Sequence, residues 1–173
     1  LSELNCPVFN VTVVCCGVEG VTIAKFMGAI IGSHAGSNNI GNNNITVIGC
    51  YYVGNLTNDL SAGIIGLYAG EDNFMNNNIT VIGCYHVGDI NANFCSGIIG
   101  SYACRNNRKN NKITVIGCYH VGDIVNTKTY RSGIIGSHAG SVNYVTNRIT
   151  NNTFIVIGCY HVGDNVAING DYF

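Results

Sequence analysis

ITVIGCYHVGD, residues 113–123, decides the fold, because the chain repeats this stretch several times with few changes. Close copies occupy residues 45–55, 79–89 and 154–164, and a divergent copy, VTVVCCGVEG, occupies residues 11–20. A second stretch, Gly-Ile-Ile-Gly, occurs at residues 63–66, 97–100 and 133–136, with the variant Ala-Ile-Ile-Gly at 29–32. We refer to these as the main segment and the GIIG segment. Repetition at a fixed period predicts an architecture of stacked units.

The cysteine of the main segment marks the period of the repeat. It falls at Cys16, Cys50, Cys84, Cys118 and Cys159, so three intervals are 34 residues and the last is 41. The additional residues lie only in the connectors between the two segments and never inside either segment. Length changes of this kind are typical of loops on a fixed scaffold.

Both segments are predicted to be β-strands. They are short, rich in Ile, Val, Thr and Tyr, and bounded by Gly and Asn clusters. No stretch has the long Ala, Leu, Glu and Lys periodicity of a helix. The Asn-rich connectors at residues 37–44, 71–78, 105–112 and 141–152 suit turns.

A unit of two or three short strands cannot bury its apolar face alone, but stacked units can if equivalent strands pair in parallel. We therefore predict an all-β fold, a parallel β-solenoid (β-helix) of about five 34-residue rungs. The rungs begin near residues 11, 45, 79, 113 and 154, with residues 1–10 as an N-terminal cap and 165–173 as a C-terminal cap. A β-propeller or sandwich is the alternative, although a propeller blade needs about four strands.

The composition narrows the function classes. The net charge is −1 and charged residues make only 10% of the chain, which argues against a nucleic-acid partner. The one basic run, Arg105, Arg108, Lys109 and Lys112, is interpreted as a solvated loop, with phosphate binding as the alternative. No apolar run approaches about 18 residues, so membrane insertion is not expected. The chain begins at Leu1, which leaves room for a removed leader or a further domain.

The two segments together resemble the GLUG-type repeat. The resemblance rests on Gly97-Ile98-Ile99-Gly100 followed by Cys118-Tyr119-His120-Val121-Gly122-Asp123-Ile124, and its recurrence covers about nine-tenths of the chain. The chain departs from that family at Gly49, Gly83, Gly117 and Gly158, where Asn is commoner before the Cys. The resemblance implies a β-solenoid with a structural or adhesive role and no catalytic residues. Similar Asn/Ile-rich proteins occur in giant viruses and their virophages, which implies a virion or host-cytoplasm location, with an extracellular surface as the alternative.

The five repeated cysteines are predicted to form a structural ladder in the core. Stacked neighbours would lie roughly 4.8 Å apart, but parallel side chains are poorly oriented for a disulfide. Reduced thiols are therefore the favoured interpretation, with a disulfide between Cys95 and Cys104 and a metal site as alternatives. The odd total of nine cysteines favours a reducing compartment.

Two columns mix histidine and tyrosine at equivalent repeat positions. One holds Tyr52, His86, His120 and His161, and the other holds His34, Tyr68, Tyr102 and His138. Asp89, Asp123 or Asp164 follows each histidine of the first column by three residues, so a metal or acid–base site is an alternative. Exchange between His and Tyr favours amphipathic surface positions, and we predict that both columns face a partner. A Thr column (Thr12, Thr46, Thr80 and Thr114) makes an ice-binding face a further alternative, but Ile155 interrupts the column.

The predicted function is a non-enzymatic structural or protein-interaction β-solenoid that is virus-associated and self-associating. Both alternating faces of the main segment look apolar (Ile45, Val47, Tyr51 and Val53 against Ile48 and Cys50), which favours a homotrimer or a dimer. A viral or host protein is a further partner, and no cofactor or metal is expected. The alternative is a glycan-binding adhesin or a spike-like carbohydrate-active module, whose carboxylates would be Asp89, Asp123 and Asp164.

Overall fold

The computed structural model describes residues 8–20, 22–125, 130–141 and 151–164, and within them the chain forms short parallel strands and no helix. The strands are β1 (Val8–Val14), β2 (Gly17–Glu19), β3 (Asn42–Ile48), β4 (Tyr51–Val53), β5 (Asn77–Ile82), β6 (Tyr85–Val87), β7 (Asn111–Ile116), β8 (Tyr119–Val121), β9 (Asn152–Ile157) and β10 (Tyr160–Val162). Accordingly, no helix in these ranges is long and apolar enough to span a bilayer.

The strands form two parallel sheets. Sheet A stacks the odd-numbered strands in the order β1-β3-β5-β7-β9, and sheet B stacks the even-numbered strands in the order β10-β8-β6-β4-β2. Equivalent residues pair: Ile45 lies beside Ile79, and Ile79 lies beside Ile113. The predicted all-β parallel β-solenoid is confirmed.

The number of rungs is slightly smaller than predicted. Each sheet has five strands, but the regular solenoid comprises about three turns. The terminal layers account for the difference, since each has a neighbouring layer on one side only among the described residues. The predicted C-terminal cap lies outside the described residues, as does most of the N-terminal cap, whose residues 8–10 belong to β1.

The GIIG segments are not strands, contrary to the prediction. They pair between layers through isolated bridges, such as Ile65 with Ile99 and Ile99 with Ile135, and form the third side of each turn. Their glycines are required by close approach, because a Cβ on Gly97 would lie 2.3 Å from the carbonyl oxygen of Gly133. The adjacent Ile98 and Ile99 are both buried, so the segment lacks the inward–outward alternation of a strand.

The corner between sheets A and B reverses which residues point inward. The corner glycines Gly49, Gly83 and Gly117 have φ near +60°, a conformation that glycine adopts without strain. Val47 points inward before the corner, and Cys50 and Tyr52 point inward after it. The inward residues are therefore odd-numbered in sheet A and even-numbered in sheet B of this layer. The sequence interpretation placed Tyr51 and Val53 on the same face as Ile45 and Val47, and this was wrong.

Asparagine side chains form a buried ladder along the start of sheet A. The Nδ2 of Asn43 donates to the Oδ1 of Asn77 at 2.7 Å, and Asn77 donates in the same way to Asn111 at 3.0 Å. A second asparagine column donates hydrogen bonds to the same acceptors, since Asn73 Nδ2 lies 2.6 Å from Asn77 Oδ1. Because each amide bonds its equivalent one turn away, this ladder forms only when the layers are in register.

We predict that Asn77→Ala lowers the free energy of unfolding by about 2–4 kcal/mol, because the buried amides of Asn43 and Asn73 each lose one of their two acceptors and keep only the carbonyl oxygen of Gly36. The matched control is Asn78→Ala on the outer face, whose amide is exposed; we expect a loss below about 1 kcal/mol. Urea titration followed by circular dichroism measures both. Equal losses for the two variants would contradict the structural role of the ladder.

Candidate functional site

The column of Tyr52, His86, His120 and His161 lies inside the solenoid, which corrects its predicted place on a partner-facing surface. Tyr52, His86 and His120 have 0% exposed side-chain and backbone surface. Their rings stack with centroids 5.2 Å apart for Tyr52–His86 and 4.8 Å apart for His86–His120. The reversal at the glycine corner turns this column inward. His161, in the last described layer, is half-buried.

Hydrogen bonds define the protonation of these imidazoles. The Nε2 atoms of His86 and His120 each lie 2.8 Å from a backbone carbonyl oxygen, of Gly54 and Gly88 respectively, and must donate to it. The Nδ1 of neutral His120 then accepts from the Nδ1 of His161 at 2.8 Å. The Nδ1 of His86 is buried and has no hydrogen-bond partner.

Burial keeps the histidine column neutral. Desolvation lowers the pKa of His86 to about 4, although its bond to Gly54 opposes the shift. Desolvation also lowers the pKa of His120 and of His161, opposed in part by the charges of Asp89 and Asp123. The carboxylates do not orient the rings as the acid–base alternative required: Asp89 Oδ1 accepts the backbone amide of Asp123 at 2.9 Å. In the described residues, no three His, Cys, Asp or Glu side chains are grouped to hold a metal ion.

The second His/Tyr column, His34, Tyr68, Tyr102 and His138, lies at the surface of the third side. His34 and His138 are exposed, and Tyr68 and Tyr102 are half-buried. Neighbouring rings stack at 4.8–5.1 Å. Arg105 lies 4.4 Å above the ring of Tyr102 and pairs with Glu71, with Nε 2.6 Å from Oε1. The column is therefore accessible, and its contact with a partner stays a prediction.

The cysteine ladder occupies the core only in the inner layers. Cys50, Cys84 and Cys118 are fully buried, whereas Cys16 is exposed and Cys159 is half-buried because each lies in a terminal layer. The thiols bond backbone carbonyls, as between Cys84 Sγ and Val47 O at 3.6 Å. All cysteines in the described ranges are free thiols.

The alternative disulfide between Cys95 and Cys104 is not formed. Both thiols are buried, and desolvation raises the pKa of Cys104 to about 12. Cys95 Sγ lies 3.4 Å from the hydroxyl of Ser61 instead. The structure thus places both cysteines in the core as small buried side chains.

The outer surface of sheet B carries a tyrosine column that is not among the predicted partner-facing residues. Tyr51, Tyr85, Tyr119 and Tyr160 stack with centroids 5.0–5.2 Å apart and planes within 5° of parallel. The ring faces of the inner members cover each other, so their edges and hydroxyls meet solvent. A Val column runs beside it: Val53, Val87, Val121 and Val162. The signal was present in the sequence, since each Tyr directly follows the repeated Cys.

The outer surface of sheet A is also repetitive. Its columns are Thr46, Thr80 and Thr114, with Ile48, Ile82 and Ile116 beside them. These side chains are half-buried, except for Ile48, which is exposed. Sheets A and B therefore both present flat outer faces with large apolar content.

Charged residues of opposite sign lie at the edges of sheets A and B that are far from the glycine corner. The acidic corner, Asp89, Asp123 and Asp164, follows sheet B, and each of the two later residues donates its backbone amide to the carboxylate of the preceding layer. The basic corner, Arg108, Lys109 and Lys112, leads into sheet A and is exposed. Arg108 lies 3.8 Å above the ring of Phe74.

Comparison with known proteins finds no matching family model, no matching curated protein and no matching solved structure. The resemblance to the GLUG-type repeat therefore depends on the quoted residues alone.

We predict that the protein loses stability as the pH falls from about 6.5 towards 4. Unfolded imidazoles bind protons near pH 6.5, while folded His86 resists protonation down to about pH 4, so the unfolded state binds more protons in this window. Above pH 6.5 the folded and unfolded states both hold His86 neutral, so it does not lower the free energy of unfolding. Near pH 4 its resistance to protonation lowers that free energy by roughly 3 kcal/mol. Urea titrations at several pH values measure it.

The test variant is His86→Tyr, because Tyr52 fills the same column one layer before, with its hydroxyl against Gly54, and Gly88 is the equivalent glycine one layer on. We expect it to be less acid-sensitive than the wild type. The control is His138→Tyr, an exposed position in a column that also accepts Tyr. If both variants lose as much stability as the wild type on acidification, the buried histidines do not cause it.

Proposed function

We propose that this chain is a non-enzymatic structural and protein-interaction β-solenoid that displays a rigid, flat surface and associates with further copies of itself. The observation that supports the proposal best is the unbroken outer Tyr column of sheet B beside the outer Thr and Ile columns of sheet A. Apolar sheet faces of this kind are usually covered in parallel sheets. Contiguous exposed apolar patches mark interaction surfaces.

The interior supports a scaffold role. Buried amides, imidazoles and thiols bond from layer to layer, so the outer columns are held at fixed positions. Rigid side chains lose little entropy when they bind, which favours recognition by display over recognition by an adaptable loop.

The carboxylates do not suggest catalysis. Asp89 and Asp123 occupy equivalent positions, and each uses one oxygen to accept a backbone amide. Glycoside hydrolysis needs two carboxyl groups in different environments, one acting as acid and the other as base or nucleophile.

The tyrosine column is also poorly suited to the glycan-binding alternative. Sugar rings pack on aromatic faces, but the faces of Tyr85 and Tyr119 are covered by neighbouring rings about 5 Å away. Of the two end members, Tyr51 lies with its outer ring face over Gly17, and Tyr160 is 52% exposed.

The GLUG-type resemblance and the Asn/Ile-rich repeats support a virus-associated origin, with a viral or host protein as a further partner. Free buried thiols are compatible with the host cytoplasm or the virion interior. An extracellular surface is the alternative location.

We expect the purified chain to associate at micromolar concentrations in low salt. Sedimentation equilibrium, with and without reductant, should give a mass above the 18.4 kDa of one chain in both conditions. A monomer at every concentration would contradict self-association. In parallel, a glycan array and a reducing-end assay test the alternative: polysaccharide hydrolysis that is lost in Asp123→Asn would show an enzyme.

A further inference from the structure

The order of features around one layer sets a direction across the outer surface. In the layer of β7 and β8, the basic corner comes first, followed by the outer face of sheet A, the corner at Gly117, the outer face of sheet B and finally Asp123. The basic corner is thus the far margin of sheet A, and the acidic corner is the far margin of sheet B. Both faces meet at the glycine corner.

The charges at these margins are available to a partner. Lys109, Lys112, Asp123 and Asp164 are exposed, and Asp89 is half-buried. Arg105 is already neutralised by Glu71, with Nη2 2.5 Å from Oε1, and does not add to the basic corner. Asp72 is half-buried in the equivalent connector one layer before, where its backbone amide donates to the carbonyl oxygen of Arg105, and it is an acidic residue on this margin.

We propose that a second copy of this chain docks the outer face of its sheet B on the outer face of sheet A, with its acidic corner beside the basic corner, and that repetition of this contact closes a ring. The proposal rests on the proposed self-association and assigns the surface that carries it. With the glycine corners towards the ring axis, every sheet A faces a sheet B, and every basic margin meets an acidic margin outside. Side chains of opposite sign favour this pairing over contacts between like faces.

Symmetry supports the same arrangement. A closed ring whose axis is parallel to the solenoid allows no shift along that axis, so equivalent layers of neighbouring copies lie at one level. Lys112 is in β7, and Asp123 follows β8 in the same layer. The basic corner therefore faces the middle of the acidic column, with Asp89 one layer before and Asp164 one layer after. An antiparallel contact between two sheet A faces would instead oppose the two basic corners.

The apolar surfaces match in spacing. On both faces the columns run parallel to the solenoid axis and repeat at the spacing of paired strands, roughly 4.8 Å. The Tyr and Val columns of sheet B can therefore lie between the Thr and Ile columns of sheet A at every layer. Each contact is small, since sheet B offers two columns about 7 Å apart. In an open pair each chain buries one face, whereas in a closed ring each chain buries both, so the buried area per chain is twice as large.

The test compares association constants from sedimentation equilibrium at low salt. Lys112→Glu places a negative charge opposite the acidic corner and should weaken association about tenfold or more. Lys25→Glu, an exposed lysine away from both faces, makes the same change in net charge and should leave association unchanged. Asp123→Asn, which keeps an amide acceptor as Asn55 does in this column, should weaken association less than Lys112→Glu. Thermal unfolding verifies that each variant folds.

Charge exchange provides the decisive variant. Lys112→Glu combined with Asp123→Lys in one chain restores opposite charges at the proposed contact and should recover most of the wild-type association. If Lys112→Glu associates like the wild type, or the double variant is no stronger than Lys112→Glu, the assigned surface is wrong while the self-association of the wild type still supports the proposed function. A monomeric wild type would overturn that function as well. A mass that grows without limit with concentration would overturn ring closure.

Discussion

In-register backbone pairing between successive turns is the constraint from which the rest of the structure follows. Corner amides show it clearly: Gly49 N donates to Ile82 O and Gly83 N donates to Ile116 O, both at 2.9 Å. Because each layer lies directly on the next, equivalent inward residues of successive repeats lie side by side along the axis. Side chains must therefore be compatible with copies of themselves at the strand spacing.

The polar core satisfies this condition in three ways. Carboxamides carry both donors and acceptors, so Asn77 accepts from one layer and donates to the next. Imidazoles stack flat at 4.8 Å and donate to carbonyl oxygens. Thiols are small and bond backbone atoms of the neighbouring layer, as Cys84 Sγ does with Val47 O. Desolvation in the buried interior keeps the stacked histidines neutral, and repulsion between ionised neighbours would lower their pKa further.

Much of the fold was predictable from the sequence, because the period of the Cys column is visible without structural knowledge. The inward position of Cys50, Cys84 and Cys118 follows from small apolar character at a repeated site. The orientation of Tyr52 and His86 was not predictable by simple alternation, because the positive φ of Gly49 reverses the inward face at the corner. Turn propensity places Asn43 and Asn77 in connectors, although their 34-residue spacing equals that of the cysteines and indicates a ladder. The composition of the GIIG segment is typical of a strand. The successive residues Ile98 and Ile99 are both buried, however, and a strand would place one of them inward and the other outward.

The in-register stack is tested most directly by methyl–methyl nuclear Overhauser effects on selectively labelled protein. Val47, Val81 and Val115 occupy one inward column at consecutive layers. In-register stacking predicts strong cross-peaks for Val47–Val81 and for Val81–Val115, and a much weaker one or none for Val47–Val115, whose layers are roughly 10 Å apart. Cross-peaks that connect Val81 to residues of another column in the neighbouring layers, with none to Val47 and Val115, would contradict it.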